Sequence, residues 1–358
     1  AEQGIALPGC TVVCADSHTC TLGGLGALAW GVGASDCEHA LATVTLRVVR
    51  PRQMHVVISG DLPAGVTAKD MILTLIAEHT ACGAAGHAIE FTGTTIDHLS
   101  LAARFTLCNM AVEFSAFTGI IAPDPKTLAS LQGSPYAPHD KNWEAARNYW
   151  GGLKSDADAA FDKELRLDAA RLEPTVTWGT SPQHAVSVTG NVPDPASARD
   201  AATAKAMQKA LDYMGLKPGA PLEGLPIDCA FIGSCTNSRL EDLRQAAMIL
   251  KDKKVADGVK AVCVPGSTPV KRAAEAEGLD RIFRAAGFEW RESGCSLCFY
   301  AGGESFGFRK RVVSSTNRNF EGRQGKETRT HLASPATAAA SAIEGRIADP
   351  RKYLTASS

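Results

Sequence analysis

Net charge is what this sequence most lacks. Lys and Arg number 37 against 38 Asp and Glu, so the 358 residues carry a formal net charge of −1. No excess of positive charge is available to neutralise phosphates, which argues against a nucleic acid or an acidic membrane as partner. No apolar run is long enough to span a bilayer. The first residues, Ala1-Glu-Gln-Gly-Ile5, have no basic stretch leading into an apolar one, so they do not read as a secretory signal. An initiator Met is missing as well.

What is present is ordinary globular material, 45% hydrophobic and 21% charged, in a chain long enough for two or three domains. The 11 cysteines are an odd number spread over the whole chain. That pattern points to reduced thiols and a cytoplasmic protein, not to a disulfide framework.

The chemistry concentrates at Ile227-Asp-Cys-Ala-Phe-Ile-Gly-Ser-Cys-Thr-Asn-Ser238. It reads as a short buried strand that stops at Gly233, followed by a helix starting near Asn237. Cys235 then lies at a strand-to-helix junction, where outward N–H groups and the helix dipole favour a thiolate. A second unit, Gly294-Cys295-Ser-Leu-Cys298, supplies two more thiols. Three thiolates can hold a cubane cluster and leave one iron without a protein ligand, the open position a Lewis acid needs. Two other uses of these cysteines fit the same residues. One is a structural zinc site completed by a histidine; the other is a thiol–disulfide pair at Cys295 and Cys298.

Around this centre the chain reads as α/β. Residues 1–60 hold a strand at Thr11 to Cys14, a Gly-rich stretch from Gly23 to Gly33 and a helix capped by Ser35 with Glu38 as its capping-box partner. The glycines read as a device for close packing, since no βαβ context supports a nucleotide fingerprint. Residues 61–218 form a second expected segment. It has a helix from Ala68 to His79, an amphipathic helix begun by Ser100 that carries Cys108, Asn109 and Glu113, and loops with short helices over 123–172. A helix from Ala201 to Met214 closes it. Gly215-Leu-Lys-Pro-Gly-Ala-Pro-Leu222 reads as the boundary to a third segment, 219–358. There, strand and helix alternate, which implies a parallel sheet with crossover helices.

Gly-Ser-Cys-Thr-Asn-Ser with Gly-Cys-Ser-Leu-Cys resembles the aconitase superfamily, and within it the two-subunit dehydratases of the isopropylmalate branch. Ala15-Asp-Ser-His-Thr19, Thr106-Leu-Cys-Asn-Met-Ala-Val-Glu113, Val264-Pro-Gly-Ser267, Gly287-Phe-Glu-Trp-Arg291, Ser315 to Gly325 and Arg329-Thr-His-Leu-Ala-Ser-Pro335 extend the resemblance over nearly the whole chain.

The resemblance implies an aconitase-like multi-domain α/β/α architecture around one [4Fe–4S] cluster held by Cys235, Cys295 and Cys298. It implies a hydro-lyase that isomerises a hydroxy acid by dehydration and rehydration, in leucine biosynthesis. Asp16, His18 and Glu113 become the acid–base set, and Arg318, Arg323, Ser17 and Asn237 the substrate-binding set. Taken alone, the two arginines read as solvated charges; in the family they suit a carboxylate, which a guanidinium grips with two parallel hydrogen bonds. The family's proton-abstracting serine belongs to a last domain that the two-subunit enzymes carry on a small subunit, so a partner protein is expected. Family large subunits also carry a segment before the point where this sequence starts, and the expectation is that this chain lacks it. Two departures touch substrate choice. Leu22 stands where the leucine-pathway branch commonly has histidine, and Phe299-Tyr-Ala-Gly-Gly-Glu-Ser-Phe306 replaces a Met-Asn-containing run. Citraconate or methylmalate, homoaconitate and aconitate therefore stay open as substrates.

Overall fold

A computed structural model describes residues 1–300 and 303–354. Residues 301 and 302, within the second sequence departure, lie outside the described residues. The chain divides into two compact units. The first comprises residues 1–62 and 81–171, and the second comprises 63–80 with everything described from Leu172 on.

The first unit is built on parallel strands. β1 (Thr11–Cys14) pairs with β2 (Leu28–Gly31). β3 (Arg52–Ser59), β4 (His87–Thr92), β5 (Thr118–Ile120) and β6 (Lys163–Asp168) form a second parallel sheet in the order β5-β4-β3-β6. Met54, Val56 and Ile58 alternate into the core, the period of two that defines a half-buried strand. β6 falls in the stretch expected to hold only loops and short helices. Its sequence, Lys-Glu-Leu-Arg-Leu-Asp, puts charges on the open side of an edge strand, which hides the strand signal and also discourages pairing with another chain.

Gly23 shows what the Gly-rich stretch is for. A Cβ there would stand 1.7 Å from the carbonyl oxygen of Gly119, so only glycine lets this turn press against β5. The next helix, Ala34–Thr43, starts two residues earlier than expected, with Gly33 and not Ser35 at its N-cap, and none of its residues is buried.

In the second unit, helix Ala68–His79 opens with a Thr67–Asp70 capping box. β7 (Thr175–Thr177) and β8 (Ala185–Ser187) form an antiparallel pair. β9 (Cys229–Ile232), β10 (Lys260–Cys263), β11 (Phe288–Trp290), β12 (Arg311–Ser314) and β13 (Arg329–Leu332) make the expected parallel sheet, in the order β11-β10-β9-β12-β13. All four residues of β9 are buried, as befits a strand covered on both faces. Ala230 and Ile232 share a core with Leu243, Ala246 and the alanines of helix Pro335–Glu344. Cys229 and Phe231 share the other with Val262, Val312, Leu297 and Phe306.

The expected boundary at 218 does not coincide with these units. Val176, Trp178, Val188 and Leu211 belong to the same core as Ala230 and Ile232. The Pro- and Gly-rich run 215–222 reads as a linker, yet the Leu222 side chain is fully buried in that core. A buried cation–imidazole contact fastens β12 to β13: Arg311 Nη1 lies 2.8 Å from His331 Nε2, while His331 Nδ1 lies 2.6 Å from the carbonyl of Thr177. An arginine can only donate, so His331 accepts at Nε2 and is neutral. Burial and the Arg311 charge push its pKa down to about 3.

Candidate active site

Two groups of chemically able side chains emerge, one in each unit. In the first unit, β1 runs out into Asp16-Ser-His18. Asp16 Oδ1 accepts the backbone N–H of His18 at 2.8 Å, and the Thr19 hydroxyl donates to the Asp16 carbonyl at 2.7 Å. This tight turn aims the buried His18 ring at Glu113, with Nε2 at 2.9 Å from Oε1. The Ser17 hydroxyl is 3.2 Å from Nδ1. Asp16 Oδ1 also lies 3.8 Å from Nδ1, so a carboxylate stands on each side of the ring.

Glu113 reaches this position differently from expectation. The helix begun by Ser100 spans only Leu101–Asn109, and Glu113 sits in a separate 3-10 turn, Val112–Phe114. Asn109 and Glu113 therefore do not share one helical face. Asn109 serves the pair from the helix end: its amide donates to Thr21 Oγ1 at 2.8 Å, and the Thr21 hydroxyl donates to the His18 carbonyl at 2.6 Å. Residues 95 apart in sequence are thus locked together from both sides.

In the second unit the chain leaves β9 for β10 on one side and later crosses to β12 on the other. Such a reversal opens a crevice at the carboxyl ends of the strands. Three stretches of loop leave from carboxyl ends: 233–239 after β9, the described residues of 291–300 and 303–310 after β11, and 315–328 after β12. They bear all three candidate cysteines and both candidate arginines. Cys235 and Cys295 are exposed, and Cys298 is buried. Helix Leu240–Leu250 begins later than expected, with Arg239 at its N-cap. The Arg239 guanidinium donates to the carbonyls of Cys235 and Thr236, and fixes the cysteine loop against the helix.

Two N–H groups point at sulfur. Asn317 Nδ2 is 3.7 Å from Cys235 Sγ, and Arg323 Nη2 is 3.6 Å from Cys298 Sγ. Arg323 also reaches Asn317 Oδ1 at 3.4 Å, and its guanidinium lies over the rings of Phe299 and Phe320 at 5.3 and 5.2 Å. Burial pushes the Cys298 thiol up, while a hydrogen bond from Ser234 and the Arg323 charge pull it back. Arg318 is half-buried on the same loop. Asn237 is buried, and its amide donates to Asp242 Oδ1 at 3.1 Å.

Several residues of the site had no role in the sequence reading. Ser315 hydrogen-bonds through its hydroxyl with Gly233 and Asn237 carbonyl oxygens, both at 3.0 Å, and so ties the β12 loop to the cysteine loop. Gln324 donates to the Leu297 carbonyl at 2.7 Å, beside Cys298. Both lie in the Ser315 to Gly325 stretch that carries the family resemblance, which gave neither of them a role.

The residues present fit an iron–sulfur cluster. Sulfurs bound to iron carry negative charge and welcome N–H donors, and Asn317 and Arg323 place such donors at the Cys235 and Cys298 sulfurs. Among the described residues no three His, Cys, Asp or Glu side chains are gathered around one point as a single ion requires. A cubane distributes its protein ligands over separate irons and does not need that convergence.

Comparison with known proteins decides the family. The sequence matches the aconitase family (aconitate hydratase) over residues 1–345. The chain belongs to the aconitase family. It is a hydro-lyase with that family's α/β fold. One relative of this aconitase-family chain is 3-isopropylmalate dehydratase large subunit 1 of Bradyrhizobium diazoefficiens. The two are 55% identical over 350 residues, which is 98% of this chain and 73% of the relative. Among the described residues, no helix is long and apolar enough to cross a membrane.

Proposed function

We propose that this chain is the large subunit of a cytoplasmic dehydratase that interconverts 2-isopropylmalate and 3-isopropylmalate through 2-isopropylmaleate, in leucine biosynthesis. The observation that carries this reading is that two N–H donors from the loop after β12 lie on the sulfurs of Cys235, in the loop after β9, and Cys298, in the loop after β11. The name of the 55% identical relative supports the choice of substrate.

Cys235, Cys295 and Cys298 hold a [4Fe–4S] cluster, which supplies a Lewis acid for the substrate hydroxyl when bound. Loss of water removes a hydroxyl from one carbon and a proton from its neighbour. His18 and Glu113 manage the proton that accompanies the hydroxyl, with Asp16 holding the His18 turn. Arg318 and Arg323 clamp carboxylates, and Ser17 and Asn237 contribute hydrogen bonds. The base that takes the carbon-bound proton comes from a small subunit carrying the family's last domain.

The two departures from the isopropylmalate pattern have packing roles. Leu22 lies against the core of the first unit, beside Leu25 and Trp143. Phe306 fills the second face of β9, and Phe299 stacks on Arg323.

The test is a substrate panel on the two-subunit enzyme. Hydration of 2-isopropylmaleate, citraconate and cis-aconitate is followed by loss of ultraviolet absorbance. We expect 2-isopropylmaleate to be favoured in kcat/KM by about a hundredfold, the scale on which a pocket reads a few methyl groups. Faster turnover of citraconate or cis-aconitate overturns the substrate assignment.

Arg318→Lys and Arg323→Lys separate two uses of guanidinium. Each keeps the charge and loses the fork. For Arg318→Lys the expected result is a kcat/KM lower by about ten- to a hundredfold, the worth of one charge-assisted hydrogen bond, with iron content unchanged. Arg323→Lys also loses its stack on Phe299 and Phe320, so slower turnover and poorer iron retention should appear together. Unchanged kinetics in both variants return these residues to the role of surface charges.

A further inference from the structure

Lys69 breaks a local rule. It occupies the first turn of helix Ala68–His79, where the helix dipole is positive and a cation is disfavoured, and its side chain is wholly buried. A buried ammonium at the wrong end of a helix is costly, and such costs persist where another part of the structure depends on them. Lys69 Nζ donates to the carbonyl of Ser315 at 3.0 Å and also to that of Thr316. Those two carbonyls follow the end of β12 and immediately precede Asn317, whose amide faces Cys235 Sγ. On the other side of the same turn, the Ser315 hydroxyl grips Gly233 and Asn237 of the cysteine loop. The neighbouring Asp70 accepts from Thr67 and from the Thr175 N–H, and its carboxylate also interacts electrostatically with Lys69.

We propose that Lys69 is a positioning residue of the cluster site: its ammonium holds the Ser315–Asn317 turn in register with the cysteine loop, and its charge favours the reduced cluster. The proposal rests on the cluster reading above. It links helix Ala68–His79, which bears none of the candidate ligands, to the stability and redox poise of the cluster. Binding linkage is reciprocal, so a cluster that depends on Lys69 also holds Lys69 in place.

The experiment uses the reconstituted two-subunit enzyme. Iron and acid-labile sulfide in the wild type come first, since their absence sinks the cluster reading itself and not the role of Lys69. Lys69→Met removes the charge at similar volume, and Lys69→Arg keeps it. In Lys69→Met the expected results are loss of iron in air roughly tenfold faster and a cluster reduction potential shifted to more negative values in a dye-mediated titration with dithionite. In Lys69→Arg the potential returns toward wild type. A loaded Lys69→Met enzyme with wild-type potential and wild-type iron retention overturns the proposal. A second measurement needs no variant. Acetic anhydride labelling read by mass spectrometry should find Lys69 protected in the loaded enzyme and reactive once the cluster is removed with ferricyanide and chelator. Equal protection in both states also overturns it.

Discussion

Serine in place of Cys235, Cys295 or Cys298 is expected to empty the site of iron and abolish turnover, each substitution on its own. The intact protein should hold about four irons and as many sulfides per chain, with one iron lacking a cysteine. Serine keeps the shape of the side chain and loses the soft anionic sulfur, so the effect falls on the metal and not on the fold. Two of the positions test different links. Cys235 lies within the loop fixed by Arg239 and Ser315. Cys298 is buried beside Leu297, whose side chain is anchored in the core under β9. Circular dichroism and the thermal transition of the apoprotein should therefore be nearly the same in the variants and the wild type, while iron, sulfide and the visible charge-transfer absorbance disappear. In the unaltered enzyme, air should inactivate by removing the open iron, and ferrous iron with reductant should restore activity. Full iron content in any one variant removes that cysteine from the ligand set.

The parts of this site legible in the sequence are those where a local pattern meets a chemical need. β9 and the cysteines after it can be read because a buried apolar strand ends abruptly in Gly-Ser-Cys. The parallel sheet follows from the alternation of strand and helix. Helix Ala68–His79 has the expected bounds because Thr67 and Asp70 form its cap. What escaped depends on distant residues. β6 exists because β3 offers it an edge, and its own charges conceal it. The run 175–218 joins the cysteine-bearing unit because Val176 and Leu211 find a shared core, which no linker composition announces. Glu113 leaves its helix because Met110 ends it, and a further turn carries the carboxylate to His18. Nothing local in the sequence marks Lys69, whose partners, the carbonyls of Ser315 and Thr316, lie far along the chain.

The His18–Glu113 pair carries the second large expected effect. His18→Gln and Glu113→Gln each keep a hydrogen-bonding side chain of similar size at a buried position, so neither opens a large cavity. Each would end the proton transfer between Nε2 and Oε1, 2.9 Å apart, on which the proposed function rests. A positioned acid–base group contributes about a hundred- to ten-thousandfold, and we expect kcat to fall within that range in each variant. Because the two side chains act on one proton, the double variant should be hardly worse than either single one. Iron content should stay at the wild-type level, which separates a proton-transfer defect from a lost cluster. Asp16→Asn gives a useful contrast, since an amide oxygen can still accept the His18 backbone N–H and preserve the turn. Its effect on kcat should be much smaller than that of His18→Gln. The measurement is steady-state hydration of 2-isopropylmaleate with the small subunit in excess, beside an iron assay on the same samples. Losses that multiply in the double variant would show that His18 and Glu113 act independently. A His18→Gln enzyme with near-normal kcat would remove the pair from the chemistry and leave it as the buried tie between β1 and the turn at Glu113.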